Sequence, residues 1–370
     1  MKKLISVLLA AVMVAFCFAA CGQKKNVVPE ETKAVSGETS SESSQNNENT
    51  PKDKIKVVTT IFPEYDWVCQ IAGEEASNLD ITMLLDNGVD LHSYQPTADD
   101  IMKISDCDLF VYVGGESDEW VEDALKEAVN KDMKVINLLE VLGDSVKNEE
   151  VVEGMQEEEH EHEEDMEEEH EDEHEHEDEH EDEDEHEHEH EEEKDEHVWL
   201  SLKNAKTLVG ALSDALQEID PENKDVYTAN AAAYVGKLSD LDKEYQEAVD
   251  NASQKTVLFG DRFPFRYLVD DYGLSYYAAF VGCSAETEAS FETITFLAQK
   301  VDELGLKSVL NIEKSDGKIA KTIIENTKDK NQTVLAMDSM QSTTSEDVKN
   351  GTTYLSVMES NLEVLKKALQ

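Results

Sequence analysis

The chain has 370 residues, with 85 Asp and Glu against 32 Lys and Arg and a formal net charge of −53 at pH 7. That length allows two domains with real cores, and so acidic a balance excludes nucleic acid as a partner, because phosphate binding needs clustered Lys and Arg. More than half of the charge falls between Glu149 and Glu196, so the remainder is only moderately acidic and has the apolar content of an ordinary soluble fold.

In chain order, the first segment reads MKKLISVLLAAVMVAFCFAACGQKK. Lys2 and Lys3, an apolar run from Leu4 and then small residues make residues 1–20 an export signal; the run is too short for a spanning helix and no stop-transfer pattern follows it. Phe18-Ala19-Ala20-Cys21-Gly22 resembles a bacterial lipobox, in which Cys21 becomes the lipidated first residue of the mature protein. Residues 21–53 are rich in Ser, Glu, Asn and Thr with almost no large apolar side chains, the composition of a disordered tether.

From Ile55 onward, short apolar runs alternate with amphipathic stretches. Residues 55–60, 79–85, 108–113 and 134–138 read as strands, separated by helices near 65–72, 98–104 and 119–129. Two helices follow, over 202–219 and 221–251; Asp220-Pro221-Glu222 is a start signal, and Leu238, Leu241, Tyr245 and Val249 give the second helix one apolar stripe. The strand pattern then recurs at 255–259, 274–280, 308–312 and 333–337, with helices near 265–272, 290–304, 318–327 and 354–368. The expected fold is α/β: two similar lobes, each a mainly parallel four-stranded sheet flanked by helices. The boundaries are 54–219 for an N-terminal lobe carrying a disordered acidic loop over 149–196, 220–252 for a linking helix and 253–370 for a C-terminal lobe.

No phosphate loop, dinucleotide-binding glycine fingerprint, nucleophile elbow or Cys-x-x-Cys pair occurs in the exported part. Cys69, Cys107 and Cys283 stand at no metal-ligand spacing and read as buried free thiols, a Cys69–Cys107 disulfide being the alternative. The eleven histidines are distributed unusually: His92, nine in the acidic tract, and His197. Neutral imidazole is the commonest ligand for borderline metals such as Zn²⁺. His92 follows the second strand, in a loop at the C-terminal edge of a parallel sheet, where ligand crevices form. His197 lies outside the last strand of the same lobe, so the two could share a cation.

The segments GVDLHSYQPTADDIMKISDCDLFVYVGGESDEW, EHVWLSLKNAKTLVGALSDAL and NGTTYLSVMESNLEVL resemble the first-ligand region, second-ligand region and C-terminal helix of the metal-binding receptor proteins of bacterial zinc and manganese ABC importers. The resemblance runs from about Lys54 to the end and includes a His-rich acidic insertion before the second ligand, as in the zinc-specific branch. It implies two α/β lobes joined by a long rigid helix, with one metal in the cleft between them. By position, His92 and His197 are the N-lobe ligands, and Asp338 in LAMDSM matches a carboxylate that some members supply after the last strand; a turn or cap residue is the alternative. The family's third ligand, a His or Glu three residues before an aromatic, falls on Gly260 in LFGDRF, which makes Asp261 the substitute unless it pairs with Arg262. Glu286, Glu288 and Glu313 are further carboxylates for the cleft, and an oxygen-richer site would distinguish Zn²⁺ from Mn²⁺ less well.

The acidic tract is expected to be a solvated chain whose His160, His162, His170, His174, His176, His180, His186, His188 and His190 form overlapping, weak metal-capture sites. The implied protein is a monomeric receptor, not an enzyme, anchored through Cys21 to the outer face of the bacterial cytoplasmic membrane. It would deliver Zn²⁺, with Mn²⁺ as the other candidate, to an ABC permease and its ATPase. The rivals are a surface metal-buffering or adhesion lipoprotein, and a zinc hydrolase, for which the sequence shows no general base.

Overall fold

A computed structural model of the chain describes residues 54–156, 193–284 and 288–370. The export signal, the tether, Cys21, the nine tract histidines and Glu286 lie outside the described residues.

β-Branched and aromatic runs become strands wherever both faces can be covered by helices. β1 (Ile55–Thr59), β2 (Leu79–Met83), β3 (Leu109–Tyr112) and β4 (Lys134–Asn137) form a parallel sheet in the order β2-β1-β3-β4. Helices α1 (Phe62–Ala72), α2 (Ala98–Ser105), α3 (Trp120–Lys126) and α4 (Leu138–Leu142) accompany them. After α5 (Leu202–Ile219) and α6 (Lys224–Asn251), the second sheet has the order β6-β5-β7-β8, also parallel, from β5 (Thr256–Phe263), β6 (Ser275–Val281), β7 (Ser308–Ile312) and β8 (Thr333–Met337). Its helices are α7 (Arg266–Tyr272), α8 (Phe291–Leu304), α9 (Lys318–Glu325), α10 (Ser345–Lys349) and α11 (Tyr354–Ala368). The two four-stranded sheets match the α/β expectation, and strand order reverses between β1 and β3, where loops at the C-terminal edge diverge and leave a crevice.

The long helix α6 is held by one stripe, Tyr227, Ala231, Tyr234, Leu238, Leu241, Tyr245 and Val249, all buried. Each large apolar side chain in such a stripe contributes about 1.5–3 kcal/mol. The stripe's partners come from both halves of the chain: Tyr234 donates to Asp66 of α1 at 3.3 Å, and Tyr245 donates to the Met358 carbonyl of α11 at 2.6 Å. Residues 221–223 form a 3₁₀ turn ahead of α6, so the helix proper starts later than the Pro221 signal suggests.

The flanks of the acidic segment differ from the expectation of one disordered loop over 149–196. Glu149 N–H donates to the Glu193 carbonyl and Asp195 N–H to the Lys147 carbonyl, both at 2.9 Å. Glu150 pairs with Arg266 at 2.7 Å and accepts from Tyr276 at 3.0 Å, and Gln156 N–H donates to Ala279 at 2.9 Å. Residues 149–156 therefore lie against the second sheet's half of the protein, fixed by Arg266 and by edge strand β6, while Met155 is buried.

Gly260 lies inside β5 rather than at its end, and although it lines a cavity with Asp90 and Glu313, its side-chain direction points into α9. A Cβ there would sit 2.5 Å from Ala320 Cα and 2.8 Å from Ala320 N, so the missing side chain is what lets α9 pack against β5. The ligand position that the resemblance implied at Gly260 is thus occupied by helix backbone. Gly260→Ala should destabilise the metal-free protein by about 1–3 kcal/mol through overpacking. Equilibrium urea unfolding measures this, and an unchanged midpoint would contradict the helix–strand contact.

Candidate metal centre

His92 sits in a 3₁₀ turn, Leu91–Ser93, that leaves the β2 edge. Asp90 caps the turn by accepting the His92 N–H at 3.1 Å, and Leu91 anchors it in the core. His197 precedes a second such turn, Val198–Leu200, whose three side chains are wholly buried. That turn is tied down from the other half of the chain: Trp199 Nε1 donates to the Ser339 carbonyl at 2.8 Å, and Tyr354 Oη donates to the Trp199 carbonyl at 2.6 Å. The turns bring His92 Nε2 and His197 Nε2 to 3.1 Å.

The outer nitrogen of each ring is also held. His197 Nδ1 lies 3.0 Å from Asp195 Oδ1, which accepts the His197 backbone N–H as well. His92 Nδ1 lies 2.8 Å from Ser117 Oγ and 3.4 Å from Glu196 Oε2, and Glu196 Oε1 accepts the Ser117 N–H at 2.9 Å. At His197 the Asp195 carboxylate on the outer N–H favours the tautomer that leaves Nε2 with a free lone pair, the arrangement that metal-binding histidines use. Burial, then the neighbouring His197 ring, lowers the His92 pKa to about 3, so this imidazole is neutral at physiological pH and can donate its lone pair.

Asp195 and Glu196 are the last two acids of the tract, yet they are only 3% and 2% exposed. Sequence reasoning assigned both to the solvated run, and their acidic neighbours hid any signal. Burial pushes the Glu196 carboxyl above its usual range, and its Oε2 has no hydrogen-bond partner in the protein.

A third donor was also missed. His92, His197 and Cys283 each offer a ligand atom, and these atoms lie within 4.8 Å of one another. Cys283 follows β6, and its N–H donates to Glu149 Oε1 at 3.2 Å. Burial, reinforced by Glu149 and Glu196, pushes the Cys283 thiol up. A cavity of about 230 Å³ beside the group is lined by His92, Ser117, Glu149, Glu196 and Cys283 and reaches Glu193. Cys69 and Cys107 are free thiols elsewhere, with Cys107 Sγ 3.3 Å from Met133 Sδ.

The two predicted carboxylates do not join this group. Asp338 Oδ1 accepts the Met340 N–H at 2.8 Å, capping a tight turn in which Met340 has φ of 63°; this is the turn role that was its alternative. From the same loop it is Gln341 that reaches the site, with Nε2 3.0 Å from His197 Nε2. Asp261 sits where the β5 register shifts, and its carboxylate accepts from Arg262 N at 3.0 Å and Ile312 N at 3.4 Å, satisfying backbone donors at the irregularity. Arg262 itself pairs with Asp90, beside His92. Glu313 accepts from Ser339 N and Oγ, and exposed Glu288 pairs with Lys318.

Two parallel four-stranded sheets flanked by helices, with buried His197 and half-buried His92 and Cys283 gathered at the loops, define an α/β fold with a candidate metal centre. Residues 57–368 match the family model ZnuA, "Zinc-uptake complex component A periplasmic". The chain is 31% identical over 317 residues to the "High-affinity zinc uptake system protein ZnuA" of Bacillus subtilis, covering 86% of this chain and 88% of that protein. It is 31% identical over 319 residues to the "Zinc-binding protein AdcA" of Streptococcus pyogenes, but it spans only 56% of that relative's length. Among solved structures, the Zn(II)-bound ZnuA-like domain of Streptococcus pneumoniae AdcA aligns with a TM-score of 0.62 at 29% identity, covering 85% of this chain and 99% of that one. The chain belongs to the ZnuA family.

Removing the carboxylate behind His197 should be felt at the metal. Asp195→Ala is expected to lower Zn²⁺ affinity by about 10–100-fold, the usual cost of losing such a partner. Titration calorimetry checks this, and parental affinity in the variant would show that Asp195 does not orient the ring.

Proposed function

We propose that this protein is an extracytoplasmic receptor that captures one Zn²⁺ ion between His92 and His197 and delivers it to an ABC permease and its ATPase for import. The observation that carries the reading is the 3.1 Å separation of the two Nε2 atoms. Two nitrogens bound to one tetrahedral zinc at 2.0–2.1 Å stand about 3.3 Å apart. The ring pair is thus close to ligand spacing, with both outer nitrogens already held.

The receptor reading is favoured over a hydrolase by the relatives, which are named as zinc-uptake and zinc-binding proteins. The names of the relatives, a zinc uptake protein and a zinc-binding protein, support Zn²⁺ as the cargo. Anchoring at the outer face of the membrane through Cys21 follows from the lipobox-like sequence, and a Streptococcus pneumoniae relative is named a zinc-binding lipoprotein. The protein acts as a monomer, one site per chain.

The nine tract histidines act as a collector. Their interspersed imidazoles and carboxylates offer many overlapping nitrogen and oxygen sites, weaker than the pocket. Glu193, which follows the last tract histidine by three residues, lines the cavity.

Two outcomes test this function. His92→Ala and His197→Ala should each lower the affinity of the tight equivalent by more than about 100-fold, read by competition with a chelating dye; parental affinity in either variant would remove that residue from the pocket. Deleting residues 157–192 should abolish the weak equivalents and keep the tight one, as counted by calorimetry. Loss of the tight site on deletion would mean that the tract itself supplies its ligands.

A further inference from the structure

We infer that the Cys283 thiolate is the third protein ligand of the zinc ion, a sulfur donor contributed by the C-terminal half of the chain, an inference that rests on the receptor reading of the site. Among the described residues, His92, His197 and Cys283 are the one group of three or more His, Cys, Asp or Glu whose ligand atoms gather this closely. The donors come from three separate loops, two at the edge of the first sheet's half and one after β6.

The approach of the β6 loop depends on a glycine. A Cβ at Gly282 would lie 2.8 Å from His197 Cε1 and 3.0 Å from both His197 Nδ1 and the Phe263 carbonyl. Only a residue without a side chain lets the backbone before Cys283 run so close to the imidazole. On the other side, Glu149 accepts the Cys283 N–H at 3.2 Å and the thiol's own hydrogen bond, fixing the sulfur beside the histidines. Binding is then a balanced exchange: the S–H bond breaks, a Zn–S bond forms, and the proton passes to the Glu149 carboxylate and on to water in the cavity.

This donor set determines the metal. Two imidazoles and a thiolate suit Zn²⁺, whereas Mn²⁺ prefers carboxylate, carbonyl and water. With Asp261 and Asp338 bonded elsewhere, the oxygen-rich site that would have admitted Mn²⁺ is replaced by one containing sulfur.

Cobalt(II) is the direct probe, because thiolate ligation adds an intense sulfur-to-metal charge-transfer band in the near ultraviolet that imidazole and carboxylate do not give. In the full chain, one equivalent of Co²⁺ should produce this band and Zn²⁺ should displace it. Cys283→Ser should abolish the band and weaken Zn²⁺ binding by more than about 100-fold, while leaving a visible spectrum from the histidines. A second readout needs no variant: one equivalent of Zn²⁺ should protect Cys283 from alkylation, mapped by peptide mass spectrometry. A Co²⁺ complex without the band, a band that survives in Cys283→Ser, or alkylation of Cys283 unaffected by Zn²⁺ would each overturn the assignment with the receptor reading intact. Failure of the wild-type chain to bind either metal would overturn both.

Discussion

The structure turns on the close approach of two imidazoles at a place that water barely reaches. His197 is fully buried and His92 nearly so, and a buried polar group is costly unless it is bonded. Asp195 and the Ser117–Glu196 pair engage the outer nitrogens, which leaves the two inner nitrogens facing each other at 3.1 Å. Gln341 Nε2 approaches the same pair, donating to His197 Nε2 at 3.0 Å. A cation between the rings would satisfy both lone pairs at once, with Glu196 Oε2 3.4 Å behind His92 Nδ1.

Holding the rings there requires both halves of the chain. The turn after His197 is closed by Trp199 bonding the loop after β8 and by Tyr354 of α11 bonding Trp199. Tyr354 also packs edge-on against Trp67 of α1, and its N–H donates to Asp66 at 3.1 Å. Tyr267 of α7 accepts from Lys147 N at 3.0 Å and donates to the Asp195 carbonyl at 2.8 Å, so the carboxylate that orients His197 is positioned by the opposite sheet's helix. The Arg262–Asp90 pair makes the same kind of link at His92. The candidate centre is therefore built across the seam between the sheets.

The strands were legible because both sheets are parallel, so each strand is a short apolar run between helices, and β7 and β8 fall on their expected residues. The two histidines were legible because this chain uses histidine nowhere else outside the tract. Cys283 was not, since ligands drawn from three loops share no spacing in sequence. Asp195 and Glu196 were invisible for the opposite reason: their burial is set by Val198, Trp199 and Leu200 after them, while their composition continues the tract before them. Asp338 and Asp261 are the right residue type at the right strand ends. Sequence could not say that one carboxylate caps the turn at Met340 and the other satisfies the backbone where β5 is irregular.

Crystals of the zinc-loaded protein, with anomalous differences recorded on either side of the zinc absorption edge, would test the central claim most directly. One dominant zinc peak is expected about 2.0–2.1 Å from His92 Nε2 and His197 Nε2 and about 2.3 Å from Cys283 Sγ, with Asp338 still bonded to Met340. A dominant peak held by Asp338 and Glu313, or one bonded to the histidines with Cys283 turned away, would contradict it.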